Sequence, residues 1–321
     1  MEKTRSPADL IQSARAFQES RVLLTALELD VFTTLGEGAT AAELSQRLGT
    51  DPRATEMLLN ALVAVDALGK RDAVFRCTVE SKALGPAQPG LLHMVHLWDT
   101  WSSLTECVKS GRAVRSRGPE GFPEARTRAF IAAMHARAQQ SAQETVRLSG
   151  IRDAKRMLDV GGGSGAFSIA FAKACPELRA EILDLGAVVP LAEEYIHEAG
   201  LQSRVCVRPG DMRTAELGEG FDLVLLSAVC HMFSEDENRL LIRRCARALV
   251  RGGHLVIREF ILQEDRTAPP HAALFALNML VGTEHGNTYT ESEYRTWMED
   301  AGFATITRPD PEGDVLVGSK I

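Results

Sequence analysis

The chain of 321 residues places its most chemically useful side chains where apolar runs give way to polar turns. The first such place is "MLDVGGGSGAFSIAF", Met157 to Phe171, in which Asp159 precedes Gly161, Gly163 and Gly165. Glycines at that spacing permit a tight turn and a close backbone approach. The helix that the turn leads into offers free N–H groups and a positive dipole end to an anionic ligand group. With Ala166 the run also satisfies G-x-G-x-x-A, a looser dinucleotide-binding pattern. About 20 residues further on, "AEILDL" ends on Asp184 and Leu185, and a carboxylate at that point accepts hydrogen bonds from ribose hydroxyls. Several nucleotide-like cofactors carry such a ribose, so these residues alone do not choose between them.

The elements around these residues explain their placement. From Lys155 onward, apolar segments alternate with helical ones: "RMLDV", "AEILDL", "RVCVRPGD", "FDLVLLSAV" and "GGHLVIREFIL" read as five strands. A helical insertion, a helix at "ESEYRTWMEDAG" and the strands "FATITRP" and "DVLVGSKI" complete the pattern. Such alternation predicts a Rossmann-like α/β fold, a doubly wound and mainly parallel sheet. Sheets of this kind bind ligands beyond the carboxyl ends of their strands, where the residues above lie. The third strand exits at Asp211 and Met212, a pair suited to the amino group and the apolar face of an adenine.

The first 150 residues read as almost entirely helical. Thr40 and Glu43 form a capping box opening a short helix that ends near Gly49, and Asp51-Pro52 opens "RATEMLLNALVAVDAL". With the hairpin "GKRDAVFRCT" this is a winged-helix pattern. We assign residues 1–110 to a winged-helix-like domain, 111–150 to linking helices and 151–321 to the α/β domain. A DNA-reading helix needs Arg, Lys, Asn or Gln on its exposed face. Here Arg53 and Asn60 stand among Glu56, Asp66 and a broad apolar surface, a composition for packing against protein, as in a homodimer.

Composition agrees with that choice. The chain has 36 Lys+Arg against 43 Asp+Glu, a net charge of -7, which disfavours a general polyanion binder such as a nucleic-acid protein. The amino terminus lacks the apolar core of a signal peptide, and no apolar run approaches the ~18 residues of a membrane span. We expect a cytoplasmic protein. Six cysteines without a C-x-x-C pair read as thiols. His93 and His96 have helical ligand spacing but no acidic or cysteine partner nearby, and no metal is expected.

The series Asp159–glycines–Asp184–Asp211-Met212 resembles the class I S-adenosylmethionine-dependent methyltransferases. The fourth strand ends in "SAVCHMFSEDEN", and together with the winged-helix half the chain resembles the small-molecule O-methyltransferases with an N-terminal dimerisation domain. Caffeic-acid, hydroxyindole and bacterial polyketide-tailoring methyltransferases belong there. The resemblance implies S-adenosyl-L-methionine as cofactor, held at Asp159, Gly161, Gly163, Gly165, Asp184, Leu185, Asp211, Met212 and Ser227. It also implies His231 as general base, usually within His-Asp-Trp; this chain reads His231-Met232-Phe233. A neutral imidazole within reach of the acceptor hydroxyl can take its proton, worth ~10²–10⁴-fold in rate. Glu259 interrupts the apolar fifth strand beside the fourth and can orient that imidazole. The plain alternatives are a histidine that fills a loop and a solvated strand-end acid. Ser234–Glu237 and Thr290–Glu293 read instead as capping boxes.

Plant members carry a second glutamate before the late helix, where this chain has Thr288. The acceptor is expected to be a flat aromatic or polyketide-like small molecule. Trp98, Trp101, Phe130, Met134, His135, Phe275 and Met279 lie in the regions that cover it in the family, although such residues are also common core. The leading expectation is an O-methyltransferase. Kept beside it are hydroxylating or decarboxylating use of the same cofactor, a winged-helix ligand-sensing regulator and, last, a nicotinamide enzyme.

Overall fold

A computed structural model describes residues 5–115 and 123–321. The linking segment expected over 111–150 is therefore described except for 116–122. The chain divides into two compact units, one ending at Trp98 and the other starting at Asp99. The division falls inside a continuous helix rather than near residue 110.

The first unit contains helices α1 (Pro7–Arg15), α2 (Phe17–Glu28), α3 (Val31–Thr34), α4 (Ala41–Leu48) and α5 (Pro52–Ala64). Strands β1 (Leu68–Arg71) and β2 (Val74–Cys77) form an antiparallel hairpin, and α6 (Leu84–Trp101) follows. Local signals set these boundaries. Thr40 and Glu43 cap α4 reciprocally, Gly49 ends it in the left-handed region, and the Asp51 carboxylate accepts the Ala54 N–H to open α5. Leu24, Leu27, Phe32, Leu44, Leu59, Leu62 and Phe75 form the core of the unit. The Asn60 side chain accepts from Lys70 Nζ at 2.8 Å, so the chief polar group of α5 is used within the fold. Helix α1 buries no residue, and Leu10, Ile11, Phe17, Met57 and Met94 are exposed.

The second unit runs through α7 (Leu104–Ser110), α8 (Glu124–Ser149), β3 (Arg156–Val160), α9 (Ala166–Ala174), β4 (Arg179–Asp184), α10 (Val189–Glu198), β5 (Val205–Pro209) and β6 (Phe221–Ser227). It continues with α11 (Glu235–Ala248), β7 (Leu249–Arg258), β8 (Ile261–Leu262), α12 (Pro270–Gly282), β9 (Tyr289–Thr290), α13 (Glu291–Asp300), β10 (Phe303–Thr307) and β11 (Val315–Lys320). Seven strands pair in the order β10-β11-β7-β6-β3-β4-β5, with β11 antiparallel to both neighbours. The fold is therefore a doubly wound, mainly parallel sheet. Successive strands run outward from β3 to β4 and β5 on one side, and through β6 and β7 on the other. The resulting switch point lies at the carboxyl ends of β3 and β6, where open α/β sheets leave a crevice.

One core cluster covers the sheet through Leu158, Val224, Leu226, Tyr294 and Trp297; a second covers it through Met157, Phe171, Ile182, Leu223 and Val256. Alternation along each strand sends successive side chains to opposite faces, so β3 feeds Met157 to one core and Leu158 to the other. The short parallel pair β8–β9 ties the insertion carrying α12 back to the body. Among the described residues no helix is long and apolar enough to cross a membrane.

Leu59 is fully buried in the first unit, and truncating it leaves a cavity. Leu59→Ala is expected to lower the stability of that unit by about 2–5 kcal/mol, measured as a shift in its urea midpoint.

Candidate active site

The turn from β3 into α9 is built on backbone geometry that excludes side chains at three of its glycines. Gly161, Gly163 and Gly165 all have positive φ, at 70°, 56° and 75°. A Cβ on Gly161 would meet Met212 Cε at 2.7 Å, and one on Gly165 would meet Ile182 Cδ1 at 2.6 Å. One on Gly162 would lie 2.6 Å from the carboxyl carbon of Asp159. Asp159 itself is fully buried, so it supports the turn from beneath instead of facing an opening. Its Oδ2 accepts from Ser168 Oγ at 2.7 Å, while Oδ1 is buried without a partner among the described residues. Burial pushes the Asp159 carboxyl up to about 7; the Ser168 hydrogen bond opposes this, and the neighbouring Asp184 adds to it.

Asp184, at the end of β4, fixes the other wall of the turn. Its Oδ2 accepts the Gly163 N–H and its Oδ1 the Leu185 N–H, both at 2.7 Å. Burial raises its pKa and these two bonds lower it. Leu185 packs against the small cluster of Ile131, Val188 and Leu191. Met212 lies over Gly161, and Arg244 fastens the segment after β5 by donating to the carbonyls of Met212 (2.5 Å), Arg213 (2.9 Å) and Ala215. Asp211 is clasped by Arg213 through Nε and Nη2, which holds its carboxyl below the ordinary value. At the end of β6 the Ser227 hydroxyl is buried with no partner among the described residues.

Three groups border the glycine turn near the switch point: Asp184 accepts the Gly163 N–H, Met212 stands over Gly161, and Ser227 ends the neighbouring strand with its hydroxyl unmatched among the described residues. The turn and these groups offer backbone approach for a polar tail, an acceptor for hydroxyls and an apolar face. That donor and acceptor set fits a ligand made of an amino acid, a ribose and a base.

Beyond β6, Ala228 adopts φ 57° and the chain makes a single helical turn, Cys230–Met232, that carries His231. Its Nδ1 lies 2.8 Å from Glu259 Oε2, and Glu259 is 3% exposed at the end of β7. A carboxylate on Nδ1 fixes the tautomer with the proton there and leaves Nε2 as the basic nitrogen. The turn is pinned from several sides. Asn238 Nδ2 donates to the carbonyls of Cys230 (2.9 Å) and Phe233 (3.3 Å), Tyr289 Oη donates to the Phe233 carbonyl, and the Asn287 N–H donates to the His231 carbonyl at 3.0 Å. Phe233 is buried in the core and Met232 packs against it, so the two departures from His-Asp-Trp serve as apolar anchors. Thr288 is fully buried and bonds the Ala272 carbonyl of α12. A glutamate there would have to bury its carboxylate.

Of the acceptor-pocket expectations, Phe275 meets the His231 ring edge-on at 4.8 Å and 90°. Trp101 donates its indole N–H to Asn278 of α12 at 2.8 Å, and Met279 is buried on the same helix. Met134 is half-buried on α8 and Phe130 is largely exposed. Trp98 belongs to the first unit, where it packs against that core with the Arg21 guanidinium 5.6 Å from its ring. His135 stacks on Tyr195 at 3.8 Å and its Nδ1 lies 2.8 Å from Ser164 Oγ in the glycine turn, so it reaches the turn and not His231. Burial lowers the His135 pKa. Sequence reasoning passed over Asn238 and Asn278, whose bonds to the His231 turn and to Trp101 join residues distant in sequence and leave no local signal.

The sheet order, the glycine turn at its switch point and the imidazole–carboxylate pair at the end of the next strand define a class I methyltransferase. The O-methyltransferase domain family matches residues 101–304 and the O-methyltransferase dimerisation domain matches residues 11–84; the chain belongs to this family. It is 35% identical to the 3-hydroxy-5-methyl-1-naphthoate 3-O-methyltransferase of Streptomyces sahachiroi, over 94% of this chain and 90% of that one. An O-methyltransferase family protein from Burkholderia thailandensis superposes with TM-score 0.87 at 26% identity, covering 99% of this chain and 98% of the other. PigF, an S-adenosyl-L-methionine-dependent methyl transferase of Serratia, solved with SAH, gives 0.86 at 25%, covering 98% and 100%.

Two outcomes follow from the turn. Gly162→Ala forces a side chain onto Asp159 and is expected to weaken S-adenosylhomocysteine binding at least tenfold, read by titration calorimetry. Asp159, with its carboxyl raised to about 7, adds stability at acid pH that is lost as pH rises from about 4 through about 7. Relative to Asp159→Asn, the native protein should lose up to about 4 kcal/mol over that window, measured by urea unfolding at both ends.

Proposed function

We propose that this protein is an S-adenosylmethionine-dependent O-methyltransferase that acts on a hydroxyl of an aromatic or polyketide-like small molecule. The observation that carries the reading is the buried His231–Glu259 pair at the strand end beside the glycine turn, in a chain of this family. The bound cofactor supplies a methyl group activated on a sulfonium. Asp184 accepts hydrogen bonds from its ribose hydroxyls, Met212 and Asp211 meet its adenine, Leu185 borders it, and Ser227 offers a hydroxyl. Gly161, Gly163 and Gly165 let the backbone approach its amino-acid end, while Asp159 supports the turn below.

His231 Nε2 takes the proton of the acceptor hydroxyl as the oxygen gains its new bond to carbon. Glu259 keeps the ring oriented through Nδ1 and balances the imidazolium charge. Phe275, Trp101 and Met279 provide apolar surface for the acceptor, with Met134 and Phe130 bordering it. His135 supports the turn through Ser164.

The protein works as a homodimer through its N-terminal unit, within the residues 1–110 assigned from sequence. The exposed apolar side chains of α1, Phe17, Met57 and Met94 support that assignment, since burying them against a partner copy removes apolar area from water. The six free thiols, four of them buried, suit a cytoplasmic setting.

Methyl-labelled S-adenosylmethionine and a pool of phenols, hydroxyindoles and hydroxylated polyketides test the reaction. The native protein should transfer label. His231→Ala should retain S-adenosylhomocysteine affinity and lose ~10²–10⁴-fold in kcat, and Glu259→Gln should lose at least tenfold. Acceptor consumed without S-adenosylhomocysteine formation would mean non-methylating chemistry at the same site. In sedimentation velocity, the double variant Leu10→Asp, Phe17→Asp should shift the protein from dimer to monomer.

A further inference from the structure

An aromatic rail leads away from His231. Its ring meets Phe275 edge-on, Phe275 stacks on Phe260 at 3.9 Å and 22°, and the Arg137 guanidinium lies 4.6 Å from the centroid of Phe260. Phe260 is also 6.1 Å from the His231 ring. Arg137 Cζ therefore lies no further from the imidazole than those two separations combined, about 11 Å. A two- or three-ring acceptor spans such a distance with its hydroxyl at one end and a second substituent at the other.

Among the described residues the charge at the far end has no counter-ion of its own. Asp314 and Glu259 are the carboxylates whose fields support the Arg137 cation, but each is engaged elsewhere. Asp314 pairs with Arg258 at 2.6 Å, and Glu259 holds His231. Among the described residues Arg137 forms no ion pair, and the positive Arg258 lies near enough to oppose its charge. Partial burial of the guanidinium is the larger cost and Arg258 the smaller, and together they pull it below its ordinary value although the residue as a whole is exposed. Arg137 remains reachable from solvent. A planar fork of donors held over a ring matches a carboxylate in two-point contact.

We propose that Arg137 is a specificity-determining residue that receives a carboxylate borne by the aromatic acceptor, so that the preferred substrate is a hydroxylated aromatic acid. The inference rests on the methyl-transfer reading above and adds the class of acceptor to it. Phe260 and Phe275 flank the ring, His231 receives the hydroxyl proton, and Arg137 fixes the end-to-end orientation.

The test compares a hydroxynaphthoate with the corresponding naphthol, using native protein, Arg137→Gln and Arg137→Lys. The native protein should favour the acid in kcat/KM. Arg137→Gln should raise the KM of the acid about ten- to a hundredfold, the size of a charged hydrogen-bonded contact, with kcat changed little and the naphthol unaffected. Arg137→Lys should recover part of the loss. The calorimetric Kd for S-adenosylhomocysteine should stay within twofold of native.

Equal loss on acid and naphthol, or no preference in the native protein, overturns the proposal. So does a weakened S-adenosylhomocysteine affinity with the acceptor KM unchanged, because Arg137 would then serve the cofactor's carboxylate. Should no acceptor be methylated by the native protein, the methyl-transfer reading fails by itself. Quenching of tryptophan fluorescence by the two naphthalenes, with and without Arg137→Gln, then still decides whether Arg137 holds the carboxylate.

Discussion

At Gly161, Gly162 and Gly165, between Asp159 and α9, there is no room for side chains, and that shortage of space organises the turn. Gly161 is closed by Met212, Gly162 by the Asp159 carboxyl and Gly165 by Ile182, while Asp184 ties the Gly163 N–H across from the neighbouring strand. Three strands thus meet at one turn of positive-φ glycines. Each contact substitutes for the side chain that the turn cannot carry. The Asp159 Oδ1 beneath the turn and the Ser227 hydroxyl at the end of β6 are both buried without partners among the described residues.

The His231–Glu259 pair is secured by different means. Its two members stand 28 residues apart, just beyond the ends of adjacent strands, so parallel pairing of β6 with β7 brings Ser227 opposite Arg258 and delivers His231 and Glu259 to one place. The helical turn bearing the histidine is held by Asn238, Tyr289 and Asn287, which come from α11, β9 and the loop before it. Gly286 passes so close to the His231 carbonyl that no Cβ fits there. Preorganisation of this kind keeps the imidazole in place without a second carboxylate. With Thr288 sealed against α12, Glu259 is the one acid on the ring's Nδ1 among the described residues.

How much of this was legible beforehand varied with the range of the interaction. Strand ends, the glycine turn and the four capping positions at Thr40, Asp51, Ser234 and Thr290 follow from residues within a few positions of one another, and local chemistry fixes them. Phe260 and Arg137 were not legible, because a ring stacked on another from α12 and a cation delivered from α8 leave no periodic trace. The placement of His135 at Ser164 and of Trp98 in the first unit likewise depends on which way a helix faces once packed.

The sequence by itself determined the alternation of strands and helices, the order of the glycines and acids along them, and the helical character of the first unit. Hydrophobic periodicity and turn chemistry act over short stretches and are written directly in residue types. Only the tertiary structure decided that Asp159 lies beneath the turn, that Glu259 reaches Nδ1 of His231, and that an aromatic rail ends at an arginine without an ion pair of its own among the described residues. Those facts depend on strand order, register and helix rotation, which the whole core sets together.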